Sequence, residues 1–478
     1  MTKPRFILGW VPPSDPEEEG GVPLKRFLAN RVKMVFGDPH GMNNYMTYRD
    51  AIQILGMDPQ EIYRDGRIDL DPHKWADLGW LCSHIGPPES ALAAMREHIS
   101  AANVGPYSPD LIAPLRDVVA REKFGRERGD DFEVIGTEGA QAGVGYAMLT
   151  FVNPGDEVIV TDPGYFHFIP AIHMAGGSPV KINLTRENHY RLDPDEVGRR
   201  ISLRTKMIVI CDPINPFGTV QTKGELVEIA KIAHKHDILV LDDITHNTYQ
   251  VDPIASQYPM ASLFDEMDTD HVISTFGMSQ GYGMAAVRLG FLAGHPLLMR
   301  ACLATKIAVT RLNTNLLAQY GSLAALQDKG YLHRSGEIIR RNYAHLKDSV
   351  ARTPGLSIPV NPQYGFSAVI DISGTGVTAQ ELTVALFKRR VAVYPSDGLG
   401  DVGATEYLRV NFSRPDLWAF EQLRAALPDA IAEAQTGAYL EAVREFFTRR
   451  RTERGQRIIA QLEASRGASS SQSWQDRP

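Results

Sequence analysis

The chain is poor in cysteine: Cys82, Cys211 and Cys302 are its 3 thiols in 478 residues, far apart and without a Cys-x-x-Cys pair. That pattern excludes a disulfide framework and a cysteine-built zinc site, and points to buried free thiols in a reducing cytoplasm. Long apolar runs are also missing, so no segment reads as a membrane span. The opening MTKPRFILGWVPPSDPEEEGG has neither the apolar core nor the cleavage site of a secretory leader. Excess positive charge is absent, since 50 Lys and Arg against 57 Asp and Glu leave a formal net charge of -7. Neither nucleic acid nor a membrane is therefore an expected partner. No internal repeat and no metal-ligand spacing is visible. What remains is an ordinary globular composition, 43% hydrophobic and 22% charged. The length suffices for a large core plus a smaller lobe.

Residues 1–75 are polar and weakly periodic and read as an N-terminal arm, with a short helix predicted near Tyr48 to Leu55. From about 132 to 300 the pattern changes to short β-branched runs alternating with amphipathic helices. Strands are predicted at DEVIVTD (156–162), KMIVICD (206–212), DILVLDD (237–243), HVISTF (271–276) and RLGFLAG (288–294). Between two of these lies TKGELVEIAKIAHKHD, where Thr222 and Glu225 are spaced as a capping box and Leu226, Ile229, Ala230 and Ala233 share a helical face. Alternation of this kind predicts an α/β fold with a mostly parallel sheet flanked by helices. Residues from about 330 to 435 read as a smaller α+β lobe. A helix with the basic run TRRRTERGQR, best read as a solvated face, and a disordered tail complete the chain (436–478).

Ligands of such sheets sit beyond the carboxyl ends of the strands, so those positions deserve the closest reading. After DFEVI comes GTEGAQAG, whose Gly136, Gly139, Ala140 and Gln141 run into a helix start where amides can approach an anion; a plain tight turn reads the same way. Tyr165 in DPGYFHF could stack on a planar ring or simply belong to the core. Asn215 lies between two prolines in DPINPFGT, either aimed at a ligand or capping its own turn. Asp242 and Asp243 end ILVLDD, where buried acids need a cationic partner, a metal or a helix to cap. Ser279 and Arg288, in FGMSQGYGMAAVRLG, offer a hydroxyl and a guanidinium to a phosphate, although Arg288 could equally be a surface ion pair.

Singly each position is ambiguous, but their order and spacing resemble those of fold-type I pyridoxal-phosphate enzymes, specifically the class I/II aminotransferase group. The resemblance runs from about residue 76 to 430. GTEGAQAG is similar to that group's phosphate loop, and NPGDEVIVTDPGY (153–165) to the segment whose aromatic covers the cofactor ring, here Tyr165. DPINPFG is similar to its NPxNPTG motif, which makes Asn215 a partner of the ring's phenolic oxygen, and LDDI to its Asp-Glu pair, which makes Asp242 the partner of the pyridinium nitrogen. YLRVNFS (407–413) resembles the segment whose arginine, here Arg409, grips a substrate α-carboxylate. VGPYSPDLIAPLR (104–116) resembles the segment whose tyrosine, here Tyr107, reaches the phosphate in the other subunit of a homodimer. The resemblance implies a large cofactor domain (105–325) and a small domain built from 76–104 and 326–435. It also implies chemistry at the α-carbon of an amino-acid-like substrate, with Gly86 among the substrate-binding positions.

Two positions depart from that group's pattern. Thr245 stands where a tyrosine usually bonds the phenolic oxygen, with His246 and Tyr249 as possible substitutes. Gln280 stands where the group has its Schiff-base lysine, and an amide neither holds a cofactor covalently nor carries a proton. Lys306 is too far downstream to replace it. Three explanations stay open: an engineered replacement, a natural lysine-free enzyme using a base such as His246 or His84, and an inactive ligand-binding or partner subunit. Transamination, β-elimination, decarboxylation and oxidative deamination all remain possible, because one fold hosts them all.

Overall fold

A computed structural model describes residues 29–37, 48–64, 67–79, 82–450, 456 and 459–460. The expectations for the first 28 residues and for the tail beyond 460 lie outside the described residues. Seven strands form the main sheet: β1 (Glu133–Thr137), β2 (Glu157–Asp162), β3 (Ser178–Asn183), β4 (Thr205–Cys211), β5 (Leu239–Asp243), β6 (Val272–Gly277) and β7 (Gly290–Gly294). Their spatial order is β1-β7-β6-β5-β4-β2-β3. Only β7 runs against its neighbours, while the pairings from β6 through β3 are all parallel. The five predicted strands are present. The edge strand β3 was not anticipated, because its SPVKIN stretch is half-exposed and carries no apolar run.

The helices that position the site are α1 (Tyr48–Leu55), α2 (Ala113–Phe124), α3 (Ala140–Phe151), α4 (Phe168–Ala175), α5 (Lys223–Lys235), α6 (Pro296–Val309), α7 (Lys329–Ala351), α8 (Ala379–Lys388) and α9 (Trp418–Gln435). α5 begins with the predicted capping box, Thr222 and Glu225 each bonding the other's backbone amide. Its Leu226, Ile229, Ala230 and Ala233 meet Ile208, Ile210, Val240 and Val272 on one face of the sheet. Farther along that face, α2 packs on Val134, Phe276 and Phe291. On the opposite face α3, α4 and α6 cover Ile135, Val160, Val209, Cys211, Leu239, Leu241 and Ile273. Side chains alternate along each strand, so consecutive residues of β5 point to opposite layers.

The second lobe holds the antiparallel strands β8 (Ser367–Asp371), β9 (Tyr394–Pro395) and β10 (Tyr407–Asn411), with α7, α8 and α9 around them. The predicted helix at Tyr48 to Leu55 is α1, and it is no loose appendage. Tyr48, Ala51 and Ile52 pack with Trp75 and Phe387, whose rings lie 4.6 Å apart, and Ala76–Asp77 pairs with Val391–Ala392. The three cysteines are free; Cys211 and Cys302 are buried as expected, but Cys82 is only half-buried, in the loop that follows this segment. No described helix is long and apolar enough to cross a membrane.

Candidate active site

The carboxyl ends of β1, β2, β4, β5 and β6 lead into Gly139, Tyr165, Asn215, Asp243 and Gln280 respectively. Gly139 begins α3 with φ +93, in the left-handed region that favours glycine. A Cβ there would lie 2.5 Å from Nη2 of Arg288, and one on Gly290 would lie 2.5 Å from the amide nitrogen of Ala140. The missing side chains let the guanidinium, the start of α3 and the strand β7 crowd together. Arg288 donates to the Glu138 carbonyl at 3.0 Å and approaches Ser279 Oγ at 3.4 Å, while its side chain remains exposed. A helix start, a hydroxyl and a guanidinium make an anion cradle. Its floor is braced from below: Lys306, fully buried on α6, donates to Asp110 at 2.6 Å and to the Gly136 carbonyl at 2.8 Å. Lys306 is thus committed to structure, and Asp110 is a supporting residue that nothing in the local sequence singled out.

The two adjacent aspartates separate cleanly. Asp242 continues the Val240 side of β5, the α5 face, where its carboxylate accepts from the Met260 amide at 2.8 Å and from Ser274 Oγ at 3.1 Å. Burial pushes its carboxyl well above the usual carboxylate range. Asp243 continues the Leu239 and Leu241 side, facing Tyr165 and Cys211, and both of those groups feel its charge. Burial pushes Asp243 up to about 6, against the pull of hydrogen bonds from the Thr245 amide and hydroxyl. The expected assignment of Asp242 to the ring nitrogen is therefore corrected on geometry: its carboxylate lies on the sheet face away from Tyr165. Thr245 donates its hydroxyl proton to Asp243, on the Tyr165 side of the sheet. The residue three positions after Asp243 is His246, packed against Phe366 with ring centroids 5.5 Å apart. Burial, with the nearby Arg409 charge, brings His246 down to about 4, so it is neutral at pH 7.

Arg409 on β10 reaches across the lobes. It is buried, 3.5 Å from Asn215 Oδ1 and 3.4 Å from the Gly79 carbonyl, with its guanidinium 4.5 Å above the Tyr394 ring. Gly79 thus lies against the guanidinium through its carbonyl. Gly86 instead accepts from Tyr331 at 2.7 Å and lies against Gly283, where a Cβ would be 2.5 Å from the Gly86 carbonyl carbon. His84 sits 3.8 Å from Asp77, which also accepts from Tyr48 at 3.0 Å, a cluster contributed by the segment around α1. Tyr249 donates its hydroxyl to the Gly281 carbonyl and so supports the turn carrying Gln280. Lys123 lies over the Phe276 and Tyr282 rings, 5.4 Å from each, on the α2 face. Tyr107 is 74% exposed beneath the Arg311 guanidinium, to which its hydroxyl is bonded at 2.9 Å. The loop after β9 is clamped to the base of the Tyr165 turn. Asp162 accepts from the Asp401 amide at 2.8 Å and from Lys181 at 3.0 Å, and the Gly164 amide donates to the Leu399 carbonyl at 2.8 Å.

Four buried polar atoms on these strand ends have no partner among the described residues: Gln141 Oε1, Asn215 Nδ2, Gln280 Oε1 and, on the far face of β5, Asp242 Oδ1. Unsatisfied polar atoms of this kind are costly unless a ligand completes them. Together with the anion cradle and the Asp243–Tyr165 pair, they fit a phosphorylated, planar, cationic ring.

The fold and these strand ends define the class: a fold-type I enzyme that uses pyridoxal 5'-phosphate. The family model of aminotransferase class I and II matches residues 83–426, and the chain belongs to that family. Aromatic-amino-acid aminotransferase 2 of Thermococcus litoralis is 30% identical over 329 residues, covering 67% of this chain and 82% of that protein. The aspartate aminotransferase of Musicola paradisiaca is 27% identical over 419 residues, covering 86% and 97%. Among solved structures, a double mutant of Thermus thermophilus aspartate aminotransferase superposes with a TM-score of 0.70 at 23% identity, covering 85% of this chain and 99% of that one. The aromatic aminotransferase of Pyrococcus horikoshii gives 0.66 at 25% identity, covering 76% and 96%.

Proposed function

We propose that the protein binds pyridoxal phosphate non-covalently and works at the α-carbon of an amino-acid-like substrate, with Gln280 in the Schiff-base position. Bound there, the cofactor supplies an electron sink conjugated to the substrate α-carbon. Ser279, Arg288 and the amides of Ala140 and Gln141 hold its phosphate, while Tyr165 covers the ring and Asn215 completes the phenolic oxygen. Asp243 keeps the ring nitrogen protonated, and His246 takes the position left by Thr245. Arg409 holds the substrate carboxylate, preorganised by Tyr394 and the Gly79 carbonyl. The carrying observation is the alternation along β5, which sets Asp243 on the same face as Tyr165 and α3.

Transamination is the first reading of the reaction, in keeping with the aspartate and aromatic-amino-acid aminotransferases it is similar to; β-elimination, decarboxylation and oxidative deamination use the same residues. Gln280 itself favours a second reading, a ligand-binding or partner subunit without turnover. The exposed Tyr107 supports a homodimer in which it reaches the partner's cradle, and the unpaired thiols support a cytoplasmic location. Gln280→Lys separates the two functional readings. Under the catalytic one, the variant acquires a borohydride-fixed cofactor mass at residue 280 and turns over members of an amino-acid panel. A variant that binds the cofactor covalently yet leaves every amino acid unchanged moves the assignment to the non-catalytic subunit.

A further inference from the structure

The Gln280 carboxamide oxygen is buried at the end of β6, next to Ser279 of the anion cradle, and has no partner among the described residues. The described lysines noted near the strand ends cannot stand in for a covalent anchor: Lys306 is bonded to Asp110 and Gly136, and Lys123 lies on the other sheet face. Lys181, beside the Tyr165 turn, is paired with Asp162 and Asp401, so among the described residues the aldehyde form of the cofactor finds no free amine here to react with. A 4'-ammonium, by contrast, finds a neutral amide oxygen where a lysine would set a second cation against it. Removing a like charge and leaving an unsatisfied acceptor both favour the same ligand.

We propose that the site is selective for the amine form of the cofactor, pyridoxamine phosphate, with Gln280 Oε1 accepting a hydrogen bond from its 4'-ammonium. The inference rests on the cofactor reading above and sharpens it. Gln280 becomes a recognition residue for one form of the cofactor and not merely a lost lysine.

The test is equilibrium binding of three ligands to the cofactor-free full-length protein: pyridoxamine phosphate, pyridoxal phosphate and 4'-deoxypyridoxine phosphate, which carries no polar 4' group. The amine form is expected to bind about 10-fold tighter than the deoxy analogue, the worth of one charge-assisted hydrogen bond net of desolvation. The aldehyde form is expected to gain nothing over that analogue. Gln280→Leu should erase the amine's advantage, and Gln280→Glu, an ionised acceptor of similar size, should enlarge it. Gln280→Lys should reverse the order and retain the aldehyde form through desalting after borohydride reduction. Equal binding of the amine form and the deoxy analogue overturns this inference alone, as does an advantage that survives Gln280→Leu. Binding of none of the three overturns the cofactor reading with it.

Discussion

Replacing Asp243 by asparagine should make the cofactor-free protein more stable at neutral pH and weaken its hold on the cofactor. The cause is desolvation. Asp243 is buried at the end of β5, and its carboxyl is pushed from 3.8 up to about 6, which corresponds to about 3 kcal/mol of penalty on the ionised form. An acid raised in the folded state costs nothing below the unfolded value, since it is protonated in both states. The penalty grows as pH climbs from about 4 and is complete above about 6. Asparagine carries no charge and can still accept from the Thr245 amide and hydroxyl through its own oxygen. The variant should therefore gain about 3 kcal/mol at pH 8, or about 3 °C in Tm for a chain of this size, with the gain fading toward pH 4. Thermal unfolding of both proteins at pH 4.5, 6 and 8 and constant ionic strength reads this directly. Cofactor titration of the same samples should show at least a 10-fold loss for Asp243→Asn and little change for Asp242→Asn, whose carboxylate serves the Met260 amide and Ser274. A gain that does not vary with pH, or cofactor loss in the Asp242 variant alone, would refute the assignment.

Three further outcomes follow from the same geometry. Gly139→Ala forces a side chain into a left-handed position within 2.5 Å of Arg288; it should cost about 1–2 kcal/mol and weaken phosphorylated but not unphosphorylated cofactor in parallel titrations. Lys306→Met takes from buried Asp110 the nearer of its two cations, Arg116 remaining at 3.2 Å; the loss in urea unfolding should therefore fall below the about 3–5 kcal/mol of a fully stripped buried charge, and Asp110→Asn added to it should restore part of that loss. Tyr107→Ala should reduce cofactor affinity severalfold while circular dichroism stays unchanged, and mixing with wild-type chains should restore half of the sites if the tyrosine serves a second copy; unaltered affinity would remove Tyr107 from the cradle.

Much of this architecture was legible because its signals are local. The capping box of Thr222 and Glu225 sits in a stretch whose apolar spacing admits only a helix, and α5 begins there. The strand runs at 206–212 and 237–243 became β4 and β5 within two residues. Which of two neighbouring aspartates faces the ligand was not legible, and the reason lies in the sheet. β5 is covered on both faces, so Leu239, Val240 and Leu241 are all apolar and no alternation marks the inner side. An acid pair at the end of such a strand therefore has no readable register, and motif spacing settled on the wrong member. The meeting of Gly79 and Arg409 was equally hidden, since 330 residues separate them and the contact is made through a backbone carbonyl. Tyr48 falls in a segment whose weak periodicity concealed that it is welded to the second lobe through Trp75 and Phe387.

The clamp at Asp162 has a mechanical consequence. It ties the loop after β9 to the turn carrying Tyr165, adding a junction three residues from that ring to those made by Gln363 and Tyr364 on the Gly218 carbonyl and by Tyr407 on Tyr190. The joint has no slack: a Cβ on Gly400 would stand 2.1 Å from Asp162 Oδ1 and 2.8 Å from the Pro163 Cα. Any side chain at position 400 would act as a wedge between the second lobe and the turn carrying Tyr165, pushing apart the two segments that the clamp holds together.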